Sequence, residues 1–482
     1  MTAEQHTAPI AAAMQRYAAD GALAFHTPGH KQGLGAHPLL RRLITEEGLR
    51  EEVSLMEELD DLHAPTGCIR DAEALAAELY GADAAYLMVN GTTGAIHAML
   101  MGTLAPGDTV LLPRNAHRSL TGALVLTGAR PVYLTPEVNE DYGIAMGVPF
   151  AEIERAVLAH PEARALVLVY PTYYGVTVDL RKIADFVHAH GLLLLIDEAH
   201  GPHLKFSEAL PPQALDCGAD AAAQSTHKIL GAMTQGSLLL TRGTRIDSER
   251  IRAAASLLQT TSPNQLLMAS IDIARLQMAE NGARLVGRAV QLAERLRAAI
   301  NKIPGLASFG TAELSGASGL DVTKVTVSVR GLGLSGAAAE DLLRHEYKIE
   351  CELSDAYNVL FIISYADTEK EVGRLLAALQ SLAAEHQGAE RFPALAPLPP
   401  TPPVRRTPRE VYFAPKQAVP FAEARGRVAA EQVMFYPPGI PLIVPGDEIT
   451  EETLAYVRAM QKLGRKVVGP ADLSLETLLV LA

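Results

Sequence analysis

The chain has 482 residues, 48% of them apolar and 20% charged, values of a folded globular protein rather than a disordered or fibrous one. Its 42 basic and 55 acidic residues leave a net charge of −13, which argues against a general nucleic-acid binder and favours a cationic small molecule. No apolar run reaches the ~18 residues of a membrane-spanning helix, the N-terminus lacks a basic-then-apolar leader, and Cys68, Cys217 and Cys351 are too scattered for a disulfide framework or cysteine metal site. A cytoplasmic protein is expected.

Residues 1–45 read as an arm ending in the Gly- and Pro-containing stretch Phe25–Gly33. Residues 46–61 hold eight acids in sixteen, the pattern of a solvated helix and turn. Asp71 to Tyr80 predicts a helix, with Asp71 able to cap it and Gly81 suited to its left-handed end. Onward to about residue 245, the apolar runs Ala85–Val89, Thr109–Leu112, Pro131–Leu134, Ala165–Val169, Leu192–Ile196, Ala221–Gln224 and Ser237–Thr241 alternate with helical patterns such as Glu152–Ala159. Runs apolar at nearly every position suit strands covered on both faces, so the fold class is α/β with a doubly wound, mostly parallel sheet.

That large domain is placed at residues 46–280. One or two long helices fill 251–300. Lys324–Val329, a helix from Ser335 to about His345, Glu350–Leu353 and Val359–Ser364 then make a smaller α+β domain within 281–392. Seven prolines in sixteen residues between Pro393 and Pro408 predict an extended linker, followed by a C-terminal domain at 409–482.

Two strand ends carry the strongest chemistry. Asp197 follows the run Leu192–Ile196, and Ser225-Thr226-His227-Lys228 follows Ala221–Gln224. Open α/β sheets bind ligands at the carboxyl ends of their strands. An acid and a lysine there suit a cofactor with a pyridine nitrogen and an aldehyde, one keeping the nitrogen protonated and the other holding the aldehyde as an imine. The same pair also suits a structural ion bridge between strands. A third strand end, Asn90-Gly91-Thr92-Thr93-Gly94 before a helix, offers hydroxyls and free amides to a phosphate, though it has no Walker or dinucleotide spacing. Among fifteen histidines, His26 and His30 are split by Pro28 and Gly29, and no His-Glu-x-x-His occurs, so no metal is expected.

FHTPGHKQG at Phe25–Gly33, LDDLHAPTGCI at Leu59–Ile69, RNAHRS at Arg114–Ser119, IDEAH at Ile196–His200, STHK at Ser225–Lys228 and YPPGIPLIVP at Tyr436–Pro445 closely resemble the bacterial ornithine/lysine/arginine decarboxylases. The resemblance runs from about Phe25 to the C-terminus. It implies a pyridoxal-phosphate enzyme of the aspartate-aminotransferase fold that decarboxylates a basic amino acid to an amine feeding polyamine synthesis. Lys228 then matches the imine lysine, Asp197 the pyridine partner and His117 the histidine stacked on the ring. Thr92, Thr93, Ser225 and His227 match phosphate-binding positions, and Ala199 and His200 lie beside the ring. Lys228 is the first candidate for returning a proton to Cα, with His227 the second.

Thr260 and Thr261, with Ser262, resemble the segment that reaches a neighbouring subunit's cofactor phosphate, which implies at least a homodimer. The wing domain that builds rings in enterobacterial relatives is not seen before the arm. A dimer or dimer of dimers is therefore expected, nearest the short bacterial arginine decarboxylases. Asp447 stands where relatives commonly carry glutamate. It is taken, with Glu448, Asp60 and Asp61 as further candidates, as partner of the substrate's distal cation, which favours arginine over lysine and then ornithine. An aminotransferase of the same fold is the nearest alternative. A regulatory protein that keeps the fold without chemistry is the other, disfavoured by the net charge and by Lys228.

Overall fold

The computed structural model describes residues 3–54, 56–314, 319–393, 399–435, 440–462 and 467–482. The chain forms two compact units, one of Met1–Thr103, Leu194–Glu208 and Pro212–Leu285, the other of Leu104–Leu193, Ala209–Pro211 and Val286–Ala482. All seven apolar runs are strands.

In the first unit, Ser237–Thr241 lies antiparallel between Ala84–Met88 and Ala221–Gln224. Ala221–Gln224 in turn runs parallel to the strand ending at Asp197, which stands opposite Ala223. Ser237–Thr241 is reversed because only a short helix, Thr226–Ile229, joins it to the strand before, too little for a crossover. Every residue of these two strands is buried, as their apolar runs require. The helices Gly91–Thr103 and Ser248–Leu258 cross closely at Gly102, where a Cβ would stand 2.5 Å from Ile251 Cδ1.

The helix predicted from Asp71 begins instead at Cys68. Asp71 does not cap it; it pairs with neighbouring Arg70. The cap comes from Asp60, whose carboxylate accepts the N–H groups of Thr66 (2.9 Å), Gly67 (2.7 Å), Ile69 (3.0 Å) and Arg70 (3.3 Å). The start of the chain is latched onto the long helix Gln265–Ile300. Buried Arg275 donates to the carbonyls of Gln5 and Thr7 and to Asp272, which accepts the Ile10 N–H at 3.2 Å.

In the second unit, Ala163–Val169, Thr109–Pro113 and Arg130–Leu134 lie side by side and parallel. A four-stranded antiparallel sheet follows the order Ala307–Ser308, Lys324–Ser328, Asn358–Ile362, Leu353–Ser354. Its Val325, Val327, Val359 and Phe361 pack with Ala339 and Leu343 of one helix and Leu375 and Leu379 of another. The expected strand Glu350–Leu353 is shifted: the strand is Leu353–Ser354, with the Glu352 N–H donating to the Leu360 carbonyl at 2.9 Å just before it. Within the same unit, Lys416–Pro420 pairs with Thr477–Leu481, and helix Glu451–Lys462 closes an apolar core over them.

The end of the Pro-rich segment is paired rather than free. Glu448 donates its N–H to Pro403 (2.8 Å) and Arg405 donates to Gly446 (2.8 Å). Gly446 has φ +103°, and a Cβ there would lie 2.0 Å from the Arg406 carbonyl oxygen, so only glycine fits this approach. Among the described residues, no helix is long and apolar enough to cross a membrane.

Candidate active site

Parallel pairing puts the carboxyl ends of two neighbouring strands together, and the sequence places Asp197 at one and Ser225–Lys228 just beyond the other. Lys228 sits in the short helix Thr226–Ile229, with Nζ 3.1 Å from His200 Nε2. Asp197 is 4% exposed and accepts the Ala199 N–H at 3.2 Å. Burial pushes its carboxyl up, while the Lys228 charge and that N–H pull it down. His227 donates Nδ1–H to the Gly236 carbonyl at 2.9 Å, which leaves Nε2 as the acceptor, and burial lowers its basicity.

At the start of the Gly91–Thr103 helix, three hydroxyls meet. Thr92 Oγ1 lies 2.5 Å from Ser225 Oγ and 2.9 Å from Ser237 Oγ, all buried, while Thr93 faces solvent. Buried hydroxyls at a helix N-terminus, a lysine amine at a strand end and a buried acid make a donor set that fits a phosphate, an aldehyde and a protonated pyridine respectively. Ser237 escapes a sequence reading because it opens an apolar strand and meets Thr92 across 145 residues.

Thr260 and Thr261 are exposed. The segment they belong to is held from within the unit. His63 Nε2 donates to the Thr260 carbonyl (2.9 Å) and its Nδ1 meets Ser256 Oγ (2.6 Å). Gln259 meets the Val89 N–H (2.8 Å) and the Leu87 carbonyl (3.2 Å), edging the strand that leads to Thr92.

The acids expected to meet a substrate cation are otherwise engaged. Asp60 caps a helix, and the N–H groups that do this hold its carboxyl below the ordinary aspartate range against the effect of burial. Asp61 accepts the His63 N–H at 2.9 Å. In the second unit, Asp447 has a side chain 1% exposed, and Arg114 donates to both its oxygens while Val444 N–H takes another bond at 2.9 Å. Burial raises this carboxyl, and Arg114 opposes it. Asp447 is therefore an internal partner of Arg114, not a vacant site for a substrate cation. Glu448 pairs with Arg405 Nε at 2.6 Å. His117 caps the helix Arg118–Thr127 by accepting the Ser119 N–H at 3.2 Å. Residues 436–439 of the C-terminal motif lie outside the described residues.

A strand-end lysine, a buried carboxyl and a hydroxyl-lined helix N-terminus on this sheet have the chemistry of a pyridoxal-phosphate enzyme, and the chain has the aspartate-aminotransferase fold. Residues 8–314 match the family model described as Orn/Lys/Arg decarboxylase, major domain, and residues 403–471 match its C-terminal domain. The chain belongs to the Orn/Lys/Arg decarboxylase family, pyridoxal-phosphate enzymes that decarboxylate basic amino acids. It is 42% identical over 481 residues to an arginine decarboxylase of Halalkalibacterium halodurans, covering 99% of this chain and 98% of that one. Its identity to an arginine decarboxylase of Bacillus subtilis is 40% over 486 residues, at the same coverage. In fold it resembles the Francisella novicida lysine decarboxylase LdcF, with TM-score 0.85 and 24% identity over 99% of this chain and 81% of that one.

Proposed function

We propose that this decarboxylase acts on arginine, ahead of lysine and ornithine, and releases carbon dioxide and agmatine, a precursor for polyamine synthesis in the cytoplasm. The observation that carries the substrate is full-length similarity to proteins named arginine decarboxylase. Bound pyridoxal phosphate supplies the electron sink for the bond to the departing carboxylate.

In this reading Lys228 Nζ would hold the cofactor's aldehyde and would be the first candidate to return a proton to Cα. Its place just beyond the strand end, with Nζ 3.1 Å from His200 and its charge acting on buried Asp197, supports the role. His227 is the weaker candidate for that proton. Asp197 would hold the proton on the pyridine nitrogen, and His117, Ala199 and His200 are the candidates to hold the ring. Thr92, Thr93, Ser225 and His227 bind the phosphate, joined by Ser237. Thr260 and Thr261 serve the partner's site in a homodimer or dimer of dimers. In support, the arm and the turns after it leave Leu23, Phe25, Leu34 and Leu43 more than four-fifths exposed, an apolar surface of the kind subunits cover.

The test is to load the full-length protein with cofactor, supply arginine, lysine and ornithine separately, and measure carbon dioxide and amine. Arginine should give the highest kcat/KM. A preference for lysine or ornithine overturns the substrate assignment. Keto-acid formation without carbon dioxide would favour the aminotransferase alternative.

A further inference from the structure

Glu198, next to Asp197, belongs to none of the roles above, yet it is 0% exposed. Its backbone N–H continues the strand pairing by donating to the Ala223 carbonyl at 3.0 Å. Its Oε1 accepts the Ala214 N–H at 2.7 Å, and its Oε2 accepts Gln224 Nε2 at 2.8 Å. Gln224 ends the strand that leads into Ser225–Lys228 and is itself 0% exposed. Its Oε1 is buried and has no hydrogen-bond partner among the described residues.

The charged group acting on Glu198 is acidic. Asp216, on the turn Leu215–Cys217, faces it, and Lys205 (3.0 Å) and Arg242 (3.6 Å) pair with Asp216 instead. Tyr80, from the Cys68–Tyr80 helix, also interacts with Glu198, and burial keeps that phenol protonated. Burial, with Asp216 adding to it and the bonds from Gln224 and Ala214 opposing it, pushes the Glu198 carboxyl up to about 8. A proton on Glu198 would give this buried pair a donor for the amide oxygen, since a neutral acid and an amide can satisfy each other reciprocally. Ionised, it would orphan that oxygen and set a second negative charge beside Asp197.

We propose that Glu198 is a positioning residue: as a neutral acid it ties the strand end bearing Asp197 to the strand end leading into Lys228 through the Gln224 amide, leaving the negative charge of the two adjacent carboxyls on Asp197. This rests on Asp197 and Lys228 being the working groups. The sign of its pH dependence follows. Below pH 4.5 the carboxyl is protonated folded or unfolded and costs nothing; as pH rises the unfolded chain ionises first, so stability falls until the folded group ionises near 8.

The experiment compares full-length holoenzyme carrying Glu198→Ala or Glu198→Gln with wild type, using Lys228→Ala as reference. Glu198→Ala should lower kcat about 100-fold with little change in KM, the cost of misplacing groups by about an ångström. Glu198→Gln keeps an acceptor for Ala214 and a donor for Gln224, so it should recover most of that loss. It should also lessen the wild-type fall in thermal stability between pH 5 and 8, leaving the share of the other buried carboxyls. A Gln variant as impaired as the Ala variant, or one that keeps the wild-type pH dependence, overturns the proposal. Should the Ala variant fail to fold, the pH dependence of the Gln variant decides alone. If Lys228→Ala retains turnover, the active-site reading falls and this proposal with it; if Lys228→Ala is inactive, the Glu198 results bear on this proposal alone.

Discussion

Asp447→Asn separates a structural acid from a substrate-binding one. The substitution keeps the volume and removes the charge. It leaves the Arg114 guanidinium, only 9% exposed, with the Leu442 carbonyl at 2.8 Å and the Tyr133 ring at 4.8 Å but no counter-ion. Breaking a buried pair by removing one partner costs about 3–5 kcal/mol. The asparagine oxygen can still accept one bond, so the loss should lie near the lower end, about 3 kcal/mol. Urea unfolding followed by tyrosine fluorescence should show the midpoint fall, while KM for the amino acid stays within about twofold, as for a change that leaves substrate binding untouched. Arg114→Met combined with Asp447→Leu should regain most of the stability, because an apolar pair of similar volume can replace a buried ion pair. An unchanged midpoint with a tenfold or greater rise in KM, about 1.4 kcal/mol of binding, would refute this reasoning and make Asp447 a substrate ligand.

Lys228→Ala should abolish turnover and the imine absorbance while the fold, read by circular dichroism, persists; retention of both signals would reassign the lysine. Asp197→Asn should keep cofactor bound yet lower kcat by orders of magnitude, because an unprotonated pyridine is a poor electron sink; a large drop in melting temperature with a modest kinetic change would instead mark a structural ion bridge. Asp60→Ala should cost about 1–2 kcal/mol through loss of the cap on the Cys68–Tyr80 helix and leave KM unaltered, whereas a selective rise in KM would restore Asp60 to the substrate path. Burial pushes the Cys68 and Cys351 thiols up, to about 11 and about 12. Both should therefore hold little thiolate at pH 8 and react with iodoacetamide far more slowly than free cysteine; mass-spectrometric labelling rates at free-thiol speed would contradict this.

The seven strands were legible because a strand buried on both faces must be apolar along its whole length, and little else in a chain writes that pattern. The positions of Asp197 and Lys228 at strand ends were legible for the related reason that polar groups stand where such runs stop. The helix at Cys68 was misplaced because its cap is not local: Asp60 reaches Arg70 across ten residues, whereas sequence patterns report only adjacent caps. The pairing of Asp447 escaped the sequence on a longer scale. A carboxylate beside Pro-Gly looks vacant in the sequence, and only folding brings Arg114, 333 residues away, onto it. Ser237 and Gln224 were invisible likewise, being polar ends of apolar strands whose partners are chosen by strand order. Burial on a strand is a property of one segment and so is written in it; the pairing of a buried polar atom joins two segments, and only the folded chain decides which two.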